Sequence, residues 1–174
     1  MKVQKIMIDG GFTCPNRDGR VGHAGCTFCL CESFNPEYCR RHSSITEQIE
    51  AGKRFFHGKY PKMKYLAYFQ AYSSTYAPLE VLRQRYEEAL AVDDVVGLVV
   101  ATRPDCINED VLSLLDSISE RGFTVVLELG CESMYNRTLK RVNRGHTVAH
   151  SIEAIRLCHT HAIPVTVHLM LGLP

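Results

Sequence analysis

Three cysteines, Cys14, Cys26 and Cys29, stand in one glycine-rich stretch with the spacing C-x11-C-x2-C. Five glycines lie from Gly10 to Gly25, and backbone without a Cβ takes the tight turns that bring separated thiolates to one centre. The short arm sets two sulfurs close together, and the long arm returns a third from upstream. Three readings are open. Three thiolates can hold a [4Fe–4S] cluster and leave one iron with an open position for a substrate or cofactor. They can form a zinc site, with His23, Cys31 or Cys39 as fourth ligand. Or some of the thiols are inert.

The other cysteines sharpen the question of compartment. The chain has eight in 174 residues. Its opening Met-Lys-Val-Gln-Lys-Ile-Met-Ile is too short and too mixed for an export signal. So many cysteines then point to metal or redox chemistry in the cytosol rather than to a disulfide framework. Cys106 and Cys158 have no metal-like neighbours and read as small apolar side chains. Cys31 and Cys39 could ligate an auxiliary cluster or transfer a hydrogen atom, but with no matching C-x2-C downstream they read as doing neither, and Cys131 reads as a small packed side chain.

Composition narrows the class further. Apolar residues make up 45% and charged residues 22%, as in an ordinary globular domain with a core of its own. A formal net charge of +1 gives no electrostatic case for nucleic acid or an acidic membrane. The basic runs at 83–85 and 140–144 read as solvated helix faces. No run of about eighteen apolar residues occurs, so no membrane span is expected. There is no internal repeat, linker or low-complexity stretch.

The elements that must position the cysteines alternate along the chain. Strands are expected at 5–9, 64–72, 95–102, 123–129 and 164–171, and helices at 45–57, 79–92, 109–121 and 148–161. Ser44 with Glu47 fits a capping box, with Gly58 and Pro61 ending that helix. Pro78 suits a first helical position. Asn108 and Thr147 can cap the third and fourth helices, and Gly122 suits the end of the third. The last helix carries an apolar face of Val148, Ile152 and Ile155. Strands separated by single helices predict βαβ units and a parallel sheet, either doubly wound or a βα barrel. In both, functional loops gather at the C-terminal ends of the strands. Gln70, Arg103, Asp105, Glu128 and Glu132 fall there, which favours an enzyme and makes Gln70, Arg103 and Glu128 candidate cofactor contacts. The last strand ends in Leu169-Met-Leu-Gly-Leu-Pro174 with no helix to close it, so a longer protein is expected.

Gly-Gly-Phe-Thr-Cys-Pro-Asn-Arg-Asp-Gly from Gly10, followed by Gly-Cys-Thr-Phe-Cys, resembles a bacterial radical S-adenosylmethionine (SAM) family. That family is related to the radical SAM domain of the Elongator catalytic subunit and, more distantly, to oxygen-independent coproporphyrinogen oxidase. The similarity continues through Ala67-Tyr-Phe-Gln-Ala-Tyr72, Thr102-Arg-Pro-Asp105, Leu127-Glu-Leu-Gly130, Asn143-Arg-Gly-His146 and His168-Leu-Met-Leu-Gly-Leu-Pro174.

The resemblance implies an α/β fold, a partial (β/α)6 barrel with parallel strands that stops after the fifth. Residues 1–174 would then be an incomplete radical SAM core domain. It implies a [4Fe–4S] cluster on Cys14, Cys26 and Cys29, with SAM on the open iron. Phe28 would pack against the adenine and Arg144 would pair with the SAM carboxylate. Glu132 matches a position that commonly touches the ribose, where relatives carry Gln. His146 reads as ordering its loop, and His168 as an interior histidine facing the barrel. The implied chemistry is reductive cleavage of SAM to a 5′-deoxyadenosyl radical that takes hydrogen from a substrate. An electron donor such as a flavodoxin-type reductase would feed it. The substrate stays open between transfer RNA and a small molecule, and no residue is singled out as catalytic. The rival reading is a zinc-stabilised, non-catalytic module that binds RNA or protein.

Overall fold

The computed structural model describes residues 2–30, 35–41, 44–57 and 63–174. Cys31, Gly58 and Pro61, named above, lie outside them. Five strands, β1 (Val3–Ile8), β2 (Lys64–Phe69), β3 (Val95–Thr102), β4 (Thr124–Glu132) and β5 (Val165–Leu169), form one sheet. It is parallel throughout, in the order β1-β2-β3-β4-β5. Each crossover therefore steps to the same side. Right-handed connections that never reverse put every helix on one face, whereas a doubly wound sheet reverses at a switch point. The architecture is a partial βα barrel, open on its inner face.

The helices are α1 (Glu37–Arg41), α2 (Ile45–His57), α3 (Leu79–Leu90), α4 (Glu109–Glu120), α5 (Asn136–Arg141) and α6 (Val148–Thr160), with a 3-10 turn at Pro104–Cys106. Local chemistry sets their starts. Glu47 N–H donates to Ser44 Oγ at 3.1 Å, and Ser44 N–H to Glu47 Oε2 at 3.4 Å, the reciprocal capping box. Val111 N–H donates to Asn108 Oδ1 at 2.9 Å. Thr147 caps α6, with His150 completing a box. Pro78 is the N-cap of α3 rather than its first residue, because its extended backbone still stands outside the helix.

Side chains alternate along each strand. Ile6, Ile8, Phe69, Leu98, Val100 and Leu127 turn outward to meet Ile49, Leu82, Tyr86, Leu112, Leu115 and Ile118 in one core. Phe69 and Tyr86 pack edge to face at 5.2 Å, and the Tyr86 hydroxyl donates to Ser74 O at 2.6 Å, tying α3 to the loop after β2. The last helix departs from expectation. It buries Ser151, Ala154 and Cys158, while Ile152 is exposed. The helical period holds, but the buried stripe is rotated onto smaller side chains. Cys106 and Cys158 are buried as expected, and burial pushes their thiols up to about 12 and about 11.

On the inner face lie Lys5 of β1, Tyr68 of β2, Glu128 of β4 and His168 of β5. At the sheet's margin, β5 and the residues after it leave Leu169, Met170 and Leu171 exposed. Among the described residues no helix is long and apolar enough to cross a membrane.

Candidate cofactor site

The loop after β1 is folded on itself before it meets the barrel. Arg17 N–H donates to Cys14 O at 2.8 Å, Gly25 N–H to Asn16 O at 2.8 Å and Cys29 N–H to Cys26 O at 3.0 Å. It then docks on the segment after α5. Thr27 N–H donates to Val142 O at 3.0 Å, Asn16 Nδ2 to Asn143 O at 2.6 Å and Asn143 Nδ2 to Gly25 O at 2.7 Å. Cys14, Cys26 and Cys29 consequently line one cavity of about 490 Å³. Phe28, Gln70, Arg103, Glu128, Glu132 and Arg144 line it too, so the expected cofactor residues are brought to one place.

Two arginines point at the cysteines. Arg103 is buried and forked on Asp105, Nε to Oδ1 at 2.9 Å and Nη2 to Oδ2 at 2.8 Å, the planar geometry a guanidinium suits best. Its Nη1 donates to Arg144 O at 2.8 Å and stands 4.0 Å from Cys14 Sγ. Burial opposes its charge, but the Asp105 carboxylate outweighs that and holds the guanidinium pKa above its ordinary value. Arg144 Nη1 lies 3.5 Å from Cys26 Sγ, and Asn16 Nδ2 lies 3.6 Å from the same sulfur. Arg144 also donates through Nη2 to Gly130 O at 2.5 Å and through Nε to His146 Nε2 at 3.0 Å. Burial first, then the Arg144 charge, lower the His146 pKa to about 4. The ring is thus a neutral acceptor at Nε2, with Nδ1 donating to Thr147 O at 3.2 Å. The run at 140–144 is therefore not a wholly solvated face: Arg144 turns inward.

Glu128 sits apart from these groups. Its Oε1 accepts from Lys5 Nζ at 2.5 Å, its Oε2 accepts from the Tyr68 hydroxyl at 2.5 Å, and His168 Nε2 lies 3.4 Å from Oε2. Burial works against its charge, yet the Lys5 and Tyr68 hydrogen bonds hold its carboxyl below the usual range. Burial and Glu128 together raise the Tyr68 phenol. Lys5, Tyr68 and Asn16 were not legible as site residues. Asn16 carried a signal in its place two residues after Cys14 and Tyr68 in its place within the run at 67–72, whereas Lys5 carried none.

Among the described residues no three His, Cys, Asp or Glu side chains are set to hold a single metal ion. His23 and Cys39 do not line the cavity. Cys39 is buried on α1 and donates to Met7 O at 3.2 Å.

The sequence profile of the radical SAM superfamily matches residues 14–174. The chain belongs to the radical SAM superfamily. It is 44% identical over 173 residues to protein YhcC of Escherichia coli, covering 99% of this chain and 55% of that protein. The chain thus spans about half the length of that relative. Among solved structures it is similar to the archaeal Methanocaldococcus infernus Elp3 with an N-terminal deletion, with a TM-score of 0.61 and 22% identity over 99% of this chain and 38% of that one. It is also similar to the cobalamin-dependent SAM radical enzyme OxsB bound to aqua-cobalamin and SAM, with a TM-score of 0.58 and 20% identity over 96% of this chain and 23% of that one. These structural likenesses support the partial barrel.

The donor set fits the cofactors that the superfamily implies. Three thiols face one cavity, and guanidinium and amide N–H groups aim at two of the sulfurs, as an anionic sulfur-ligated cluster requires. The Gln70 amide oxygen is buried there without a hydrogen-bond partner, an acceptor that a donor-bearing ligand would satisfy.

Proposed function

We propose that this chain is the cofactor-binding core of a radical SAM enzyme, with Cys14, Cys26 and Cys29 holding a [4Fe–4S] cluster and SAM lying in the cavity beside it. The single observation that carries this reading is the convergence of the three cysteines with Arg103 and Arg144 on one cavity at the C-terminal ends of the strands. Cys14, Cys26 and Cys29 would hold the cluster, which when bound and reduced would supply the electron for cleaving SAM to methionine and a 5′-deoxyadenosyl radical, the species that would take hydrogen from a substrate.

The chain's own residues do the holding and shielding. Arg103, fixed on Asp105, sets the Arg144 backbone and stabilises negative charge at Cys14. Arg144, oriented by neutral His146, stabilises charge at Cys26 and can meet the SAM carboxylate. Gln70 offers its orphaned oxygen to the SAM ammonium, and Phe28 offers an apolar surface to the adenine. Glu128, anchored by Lys5 and Tyr68, lies on the inner face beyond these groups and forms the wall that a substrate meets. A one-electron donor such as a flavodoxin-type protein would reduce the cluster from outside.

The test is anaerobic reconstitution of the chain and of Cys26→Ala with iron and sulfide. About four iron and four sulfide per chain are expected for the unaltered protein, with reductant-dependent 5′-deoxyadenosine from SAM. Both are lost in the variant. Equal 5′-deoxyadenosine yields from the two proteins would contradict the assignment.

A further inference from the structure

Arg144 already holds a carboxylate. Its Nη2 lies 3.3 Å from Oε1 of Glu132, and the two side chains are only 9% and 10% exposed. With Nε on His146 and Nη1 on Cys26, every nitrogen of the guanidinium is engaged.

The backbone of β4 is shaped to bring Glu132 there. The pairing of β4 with β5 slips between Gly130 and Glu132, and Glu132 takes a φ of 64°, left-handed backbone that a residue with a side chain adopts at a cost. Gly130 completes the arrangement. A Cβ there would stand 2.7 Å from Glu132 Oε1 and 2.8 Å from Arg144 Nη2, so a side chain at this position would push the ends of the two groups aside, and glycine lets them close over the strand undisturbed. Bulges and left-handed side-chain-bearing residues gather where a strand must re-aim a functional group. Burial raises the Glu132 carboxyl above its ordinary range, with Arg144 only partly offsetting it.

We infer that Glu132 is an internal carboxylate seated on the arginine that the amino-acid end of SAM must take, so that SAM binds by displacing it. This rests on the radical SAM reading above. Two carboxylates cannot share the fork of one guanidinium without repulsion, so the penalty falls on ligands that carry a carboxylate and spares those that do not. Glu132 then sets the affinity of the site and its selectivity among adenosyl ligands. This differs from the ribose contact expected from sequence, where Glu132 would help every adenosyl ligand.

The experiment is equilibrium dialysis of the reconstituted protein and of Glu132→Gln, with SAM and with 5′-methylthioadenosine, which lacks the amino-acid end. Glutamine keeps the shape and one acceptor oxygen but gives up the charge. The SAM dissociation constant is expected to fall roughly three- to tenfold in the variant, with 5′-methylthioadenosine unchanged within about twofold. Glu132→Ser, which removes the carboxylate altogether, is expected to move SAM in the same direction, and thermal melting confirms that both variants fold. Unchanged SAM affinity would overturn the inference. So would equal weakening of both ligands, the signature of a ribose contact. Binding of neither ligand by any of the proteins would instead overturn the radical SAM reading, and this inference with it.

Discussion

Asn16 and Asn143 lock two distant loops together, Asn16 Nδ2 on Asn143 O at 2.6 Å and Asn143 Nδ2 on Gly25 O at 2.7 Å. Asn16 is 1% exposed, so its amide has no water to fall back on. Together with the Thr27 N–H to Val142 O bond, this pair joins the cysteine loop to the segment that carries Arg144, whose Nη1 lies 3.5 Å from Cys26 Sγ. Replacing Asn16 by Ala leaves the Asn143 carbonyl unpaired, which costs about 2 kcal/mol and lowers Tm by roughly 4–8 °C. Iron retained after reconstitution should fall as well. A variant with unaltered melting and full iron content would show that the loop is held by other bonds.

Gly97 tests the sheet itself. A Cβ at this position of β3 would stand 2.0 Å from the carbonyl oxygen of Thr124 on β4, and backbone cannot step aside as a side-chain end can. Gly97→Ala should therefore part the two strands at the start of β4. We expect a loss of about 3 kcal/mol, at the upper end of overpacking costs, and a Tm lower by roughly 6–12 °C. A shift below about 2 °C would mean that the strands separate more cheaply than this register allows.

Glu128 makes stability depend on acid. Its folded carboxyl is held below the usual range by Lys5 and Tyr68, against the opposing effect of burial. A group depressed on folding adds stability that is full above its unfolded pKa of about 4.3. That stability fades as the pH falls through the lower folded value. Glu128→Gln should be less stable than the unaltered chain at neutral pH, and the gap should narrow below about pH 4.3. Urea midpoints taken from pH 7 to pH 3 measure this. Parallel curves for the two proteins would contradict it.

The sequence revealed what is local. Ser44 with Glu47, Asn108 and Thr147 each cap a helix through a partner three residues away, and such pairs are visible in a linear reading. The spacing of Cys14, Cys26 and Cys29 within one loop is equally visible. What was missed depends on distance or on strain. β4 runs on through Gly130 and Cys131 to Glu132, where a slip in register lets it continue past the expected end at Leu129. β2 stops at Phe69, short of the expected Tyr72, and the chain then turns, with Tyr72 at a φ of 63°. The short helix α5 has no side-chain cap at Tyr135 and gave no start signal. Glu128 was placed at a strand end, but its partners come from three other strands. Lys5 lies 123 residues away in sequence and Tyr68 60, and no local pattern joins them. The strand order, too, is a tertiary fact: alternation of strands and helices fits a doubly wound sheet as well as a barrel.

The most direct test of a three-cysteine cluster open to SAM is low-temperature EPR of the anaerobically reconstituted, reduced protein, recorded with and without SAM. A [4Fe–4S]+ signal that changes shape when SAM is added is expected, because SAM would bind the iron that the three cysteines would leave open. A protein that takes up zinc and no iron, or a cluster whose signal is indifferent to SAM, would contradict it.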